Sequence, residues 1–129
     1  MVKQSASQAF GRSCTAPRAA RTFLAETLSS WHRPLDRDAE VIVAELVANG
    51  VTHATTGAID VSFDLVGDSL RINVTDSSPH LLPHRGPARG EHGGYGLNLI
   101  ESLTYAWGCE TGRDTKTIWA EVDLDHPIL

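Results

Sequence analysis

Apolar residues recur along this chain with two different periods, and the switches between them predict its elements. From about Pro17 to Trp31, Ala20, Phe23, Leu24, Leu28 and Trp31 return every three or four positions, the period of a helix with one buried face. Pro17 suits a first helical turn, and Pro34 ends the segment. Asp36 or Asp38 can cap a second helix, which runs to about Ala54 and turns Ala39, Val43, Leu46, Val47, Gly50 and Ala54 to one side. Residues 58–65 then change to period two, with Ile59, Val61, Phe63 and Leu65 on one face. After a turn at Gly67-Asp68, Leu70, Ile72 and Val74 alternate with polar neighbours, so the pair predicts a hairpin with one apolar face. Residues 77–93 contain Pro79, Pro83, Pro87, Gly86, Gly90 and Gly93 and predict a mobile loop. Helical spacing returns from about Tyr95 to Leu103. Two strands follow, near Tyr105–Glu110 and Lys116–Val122, joined by a turn at residues 111–114. The first dozen residues read as loose or as an edge strand.

This order is helix, helix, strand, strand, loop, helix, strand, strand. It predicts an α+β two-layer sandwich: a mixed, mostly antiparallel sheet with the helices gathered on one face. A length of 129 residues fits a single domain over 1–129. At 41% hydrophobic and 21% charged residues, the composition is globular rather than disordered. The net charge of −5, with no long basic run, argues against direct nucleic-acid binding. Residues 1–13 lack the apolar stretch of a secretory signal, and the longest nearly apolar run, around residues 39–48, is too short to span a bilayer. Cys14 and Cys109 have no metal-type spacing and read as free thiols in a reducing cytoplasm. His80 and His84 have helical ligand spacing, but Pro83 between them breaks the helix such a zinc pair needs.

Three segments carry candidate chemistry. On the second helix, Glu45, Asn49 and Thr52 share one narrow stripe with His53 at its edge, opposite the apolar side. A carboxylate and a carboxamide one turn apart suit a metal or a proton; a solvated polar face is the plain alternative. Asp76 closes the second strand with the parity of Ile72 and Val74, so its side chain should enter the covered face. A carboxylate there needs a partner, for instance a ligand amine. The plain alternative is an Asp that begins a turn. Gly93-Gly94-Tyr95-Gly96-Leu97 stands where the loop becomes a helix, and there backbone N–H groups can approach an anion. Arg85 and Arg89 in the preceding loop could reach phosphates or simply be solvated.

Together the three segments resemble the N, G1 and G2 boxes of the GHKL ATPase superfamily, shared by gyrase, histidine kinases and mismatch-repair ATPases. Residues 45–54 look like the N box, 74–79 like G1 and 93–97 like G2. The final Lys116-Thr117-Ile118-Trp119 is similar to a terminal strand of one branch, the small RsbW-like anti-sigma-factor serine/threonine kinases. The resemblance covers roughly residues 15–123 and implies a Bergerat ATP-binding fold, with ATP between the helices and the sheet.

By that resemblance Asp76 accepts a hydrogen bond from the adenine amino group, and Thr117 supports the same end of the base. Asn49 holds Mg²⁺ through its amide oxygen. Gly94, Gly96 and the amide of Leu97 line the phosphates, with His53 near them. Glu45 is the general base toward a substrate serine. Ser78, included in the nucleotide-binding set, stands where the wider superfamily has glycine. Gly50 replaces a frequent alanine, Tyr95 a frequent basic residue, and the stretch from Asp76 to Gly93 makes a short lid. Two functions stay open. One is a kinase that uses Mg-ATP, phosphorylates an antagonist protein and sequesters a sigma factor. The other is a nucleotide-dependent protein-binding switch without significant phosphotransfer. The branch often pairs through a helical or sheet-edge surface, so a homodimer is consistent with it.

Overall fold

The computed structural model describes residues 2–54, 56–77 and 94–125, with side chains in the last segment described from Asn98 onward. Its elements are β1 (Lys3–Phe10), α1 (Ala16–Ser30), α2 (Arg37–His53), β2 (Ile59–Val66), β3 (Ser69–Asp76), α3 (Gly94–Leu103), β4 (Ala106–Thr111) and β5 (Lys116–Asp123). The five strands form one sheet in the order β1-β2-β3-β5-β4, and every neighbouring pair is antiparallel. The expected α+β sandwich is therefore present. The N-terminal segment is the edge strand, and antiparallel pairing extends to every strand rather than most. In the last hairpin β4 lies one residue further along than expected, while β5 starts at Lys116 as expected and runs one residue longer.

Local chemistry explains the element ends. Asp36 caps α2, its carboxylate accepting from the Ala39 N–H at 2.9 Å, while Asp38 and Glu40 sit in the first turn. Burial, and then the nearby Asp36 charge, raises the Asp38 pKa. Helix α1 ends with His32 at φ 60°, and the Arg33 N–H reaches the Leu28 carbonyl at 2.8 Å. That is a Schellman closure with histidine in the left-handed position more often held by glycine. Gly67, at φ 60°, takes the first place of the two-residue β2–β3 turn, where a type II′ hairpin needs a positive φ.

Strict alternation makes one face of the sheet dry. Ile59, Val61, Phe63 and Leu65 of β2, Leu70, Ile72 and Val74 of β3, and Ile118, Ala120 and Val122 of β5 are all buried. Helix α2 lies centrally over this face, packing on β2, β3 and β5, with α1 and α3 against its flanks. It buries Ala39, Ile42, Val43, Leu46, Val47 and Gly50. Phe63 is fully buried and stacks on Phe23 of α1 with ring centroids 5.0 Å apart.

The opposite face carries polar side chains that bond across the strands. Asp64 accepts from Ser5 at 2.7 Å, and Asn73 donates to Ser62 at 3.1 Å. Arg71 pairs with Glu121 at 3.3 Å and lies 4.2 Å above the Trp119 ring. At the β2–β3 turn, Arg33 donates to the Gly67 carbonyl at 2.7 Å and to Asp68 at 2.6 Å, and approaches Asp125 at 3.7 Å.

Two substitutions test this framework by thermal unfolding. Asp36→Ala removes the α2 cap and should cost about 1 kcal/mol, lowering the midpoint by about 4 °C. Phe63→Ala empties the centre of the core and should cost about 3–5 kcal/mol, most of the margin of a small domain.

Candidate functional site

The end of β3 meets α2 at a single close approach. Asp76 is 4% exposed, as its parity with Ile72 and Val74 requires. A Cβ placed on Gly50 of α2 would lie 3.3 Å from the Asp76 Oδ2 and 3.0 Å from the Ile59 Cδ1. The helix segment and the strand end, 26 residues apart in the sequence (76 less 50), therefore converge on one point. A side chain at position 50 would press on both neighbours, which would have to give by a few tenths of an ångström.

The buried carboxylate has a partner that its own strand does not reveal. Lys116, the first residue of β5, stands directly opposite Asp76 in the β3–β5 register. Its Nζ lies 3.7 Å from the Asp76 Oδ2, and the residue is 1% exposed. The partner supplied by the protein is thus an ammonium from the neighbouring strand. Parity could have found it, because Lys116 shares the side of Ile118, Ala120 and Val122.

The same parity corrects the place expected for Thr117. Its hydroxyl shares a 2.7 Å hydrogen bond with that of Thr75, on the face away from the helices. Thr117 therefore does not enter the covered side beside Asp76; Lys116 does. A one-residue step along a strand exchanges faces, and the expectation followed the wrong member of the pair.

Glu45 and Asn49 are half-buried on α2, one turn apart, on the helix whose Gly50 touches the strand-end carboxylate. His53 is half-buried in the last turn. Thr52 returns its hydroxyl to the Ala48 carbonyl at 3.0 Å, within its own helix. Gly94 opens α3, with Gly96 and Leu97 in its first turn, and α3 packs against α2. A helix N-terminus offers backbone N–H groups and partial positive charge to an anion. Ser78, the short lid, Arg85 and Arg89 lie outside the described residues, as do His80, His84, His92 and His126. Ser77 is described: its hydroxyl donates to the Thr56 carbonyl and accepts from the Thr56 N–H at 3.1 Å, tying the α2–β2 connection to the end of β3.

The donor set fits a magnesium nucleotide. Asn49 would offer one neutral amide oxygen, the kind of hard donor such a cation takes. Among the described residues no group of three His, Cys, Asp or Glu side chains gathers into a metal cage. Cys109 lies on β4, and burial raises its pKa most, with Lys116 lowering it and Asp76 and Glu110 raising it. Among the described residues no helix is long and apolar enough to cross a membrane.

Known proteins supply the wider setting. The RsbU and RsbW domains of a Mycobacterium tuberculosis protein have a similar structure, with a TM-score of 0.69 at 22% identity over 94% of this chain and 32% of that one. The Acinetobacter baumannii histidine kinase AdeS gives a TM-score of 0.55 at 14% identity, over 94% of this chain and 68% of that one. At such identities the likeness is one of fold, and this chain spans about a third of the mycobacterial one. No curated protein matches the sequence. The sequence model of a family described as the histidine kinase-like ATPase domain matches residues 12–121. That match begins before α1 and ends inside β5, taking in both the α2 segment and Asp76, and the chain belongs to the histidine kinase-like ATPase domain family.

Proposed function

We propose that this chain is an ATP-dependent regulator, an anti-sigma-factor serine/threonine kinase that transfers the γ-phosphoryl group of ATP to a serine of an antagonist protein. The observation that carries the reading is the approach of Asp76 to Gly50. It joins a buried carboxylate suited to a base edge with the helix that bears Glu45 and Asn49. Family membership and the RsbW-like fold support it.

In this reading Asp76 accepts from the exocyclic amine of adenine. Its burial strengthens that bond, since no water competes for the carboxylate. The start of α3 takes the phosphates on the backbone N–H groups of Gly94, Gly96 and Leu97, with His53 near them. Asn49 holds Mg²⁺, which when bound neutralises charge on the β- and γ-phosphate oxygens. Glu45, one turn back along α2, accepts the proton of the substrate serine as its oxygen attacks phosphorus. The same protein would sequester a sigma factor, as the family resemblance implies.

Two variants separate recognition from chemistry. Asp76→Asn should weaken ATP binding by about tenfold to a hundredfold in calorimetric titration, because a charge-assisted acceptor becomes a neutral one. Thermal unfolding of the same sample verifies that the variant is folded at the assay temperature. Glu45→Gln should leave ATP affinity unchanged within about twofold. It should lower transfer of labelled phosphate to candidate antagonist proteins by roughly a hundredfold to ten-thousandfold. Tight ATP binding by the wild type with no phosphoserine on any antagonist would favour the switch that binds nucleotide without transferring it.

A further inference from the structure

We propose that Lys116 is a second base-recognition residue, whose ammonium donates to the ring nitrogen N1 of adenine while Asp76 accepts from the adjoining amine. The proposal rests on the ATP-binding reading above and adds a specificity-determining side chain to it.

The argument begins with the cost of the residue. Along β5 the covered positions are Lys116, Ile118, Ala120 and Val122, so a cation interrupts an otherwise apolar run. Taking an ammonium and a carboxylate out of water together costs more than filling the same space with hydrocarbon, and such pairs contribute little net stability. A place where sequence choice departs from what the core wants is the usual mark of a functional position.

The geometry then says what the pair can do. Asp76 and Lys116 face each other across two antiparallel strands, so their backbones fix the relative positions of the two charges. The separation of 3.7 Å exceeds a hydrogen-bond length. The pair therefore places an acceptor and a donor 3.7 Å apart. The Watson–Crick edge of adenine offers the complement, a donor amine next to the acceptor N1. An ammonium has three donor directions, so Lys116 can keep its attraction to Asp76 while a second N–H addresses the base. The pair as a whole is neutral, which suits a neutral ring, and Gly50 brings no side chain of its own against the carboxylate.

The test compares ATP with 1-deaza-ATP, in which N1 is replaced by C–H, by equilibrium titration. The proteins are the wild type, Lys116→Met, and the double variant Asp76→Asn with Lys116→Met. The double variant removes both charges, so it keeps the test decisive if the single variant does not fold. The wild type should bind 1-deaza-ATP about tenfold to a hundredfold more weakly than ATP. Both variants should bind the two nucleotides equally. A merely structural lysine would weaken both nucleotides alike and leave their ratio at the wild-type value, and that result overturns the proposal. Equal, measurable binding of both nucleotides by the wild type overturns it too, while leaving the ATP reading intact. A wild type that binds neither nucleotide defeats the ATP reading itself.

Discussion

Removing a carboxylate and an ammonium from water together is tolerable only when each offsets the other, and Asp76 and Lys116 meet that condition where the ends of β3 and β5 pair. Much of the architecture serves to make the meeting happen. Strand β5 must lie next to β3 rather than next to β4 alone, which sets the order β1-β2-β3-β5-β4. The register must put residue 76 opposite residue 116, and the parity of both strands must turn these side chains under the helices. A slip of β5 by one position would send Lys116 to the wet face and bring Thr117 to the covered side in its place. The apolar residues that share their side, from Ile59 to Val122, are what hold the register.

The same constraint organises the site. Among the described residues, helix α2 packs on both flanking helices and on three of the strands. Its inner face belongs to the core, and its outer stripe carries Glu45 and Asn49. Its one glycine falls where it passes the strand-end carboxylate. One rigid helix can therefore position recognition and chemistry together. In the proposed mechanism the base end and the phosphate end of the nucleotide are separated along this helix, with α3 supplying the amides that neither α2 nor the sheet could offer.

Much of this was legible in the sequence because period and parity are local properties. The alternation of β2 and β3 predicted both the hairpin and the burial of Asp76, and the 3.6-residue period of α2 predicted the inner face that the structure buries. What was not legible depended on long-range pairing. β1 reads KQSASQAF, with no clear alternation, and it becomes a strand because β2 offers an edge to bond to. The partnership of Lys116 with Asp76 requires the β3–β5 register, which no local window contains. The parity of Ile118, Ala120 and Val122 sets Lys116 on the covered side and Thr117 on the other. His32 took a backbone conformation that its neighbours gave no reason to expect.

The contacts of Arg33 have a mechanical consequence. Its guanidinium grips the β2–β3 turn and the chain after β5 at once, at the end of the hairpin remote from Asp76. The Leu124 N–H bonds the Asp68 carbonyl at 2.8 Å beside it. Ser77 and Thr56 tie the chain at the opposite end, some eight strand residues away, or roughly 25 Å, so the connections between the layers are fastened at both ends of the hairpin.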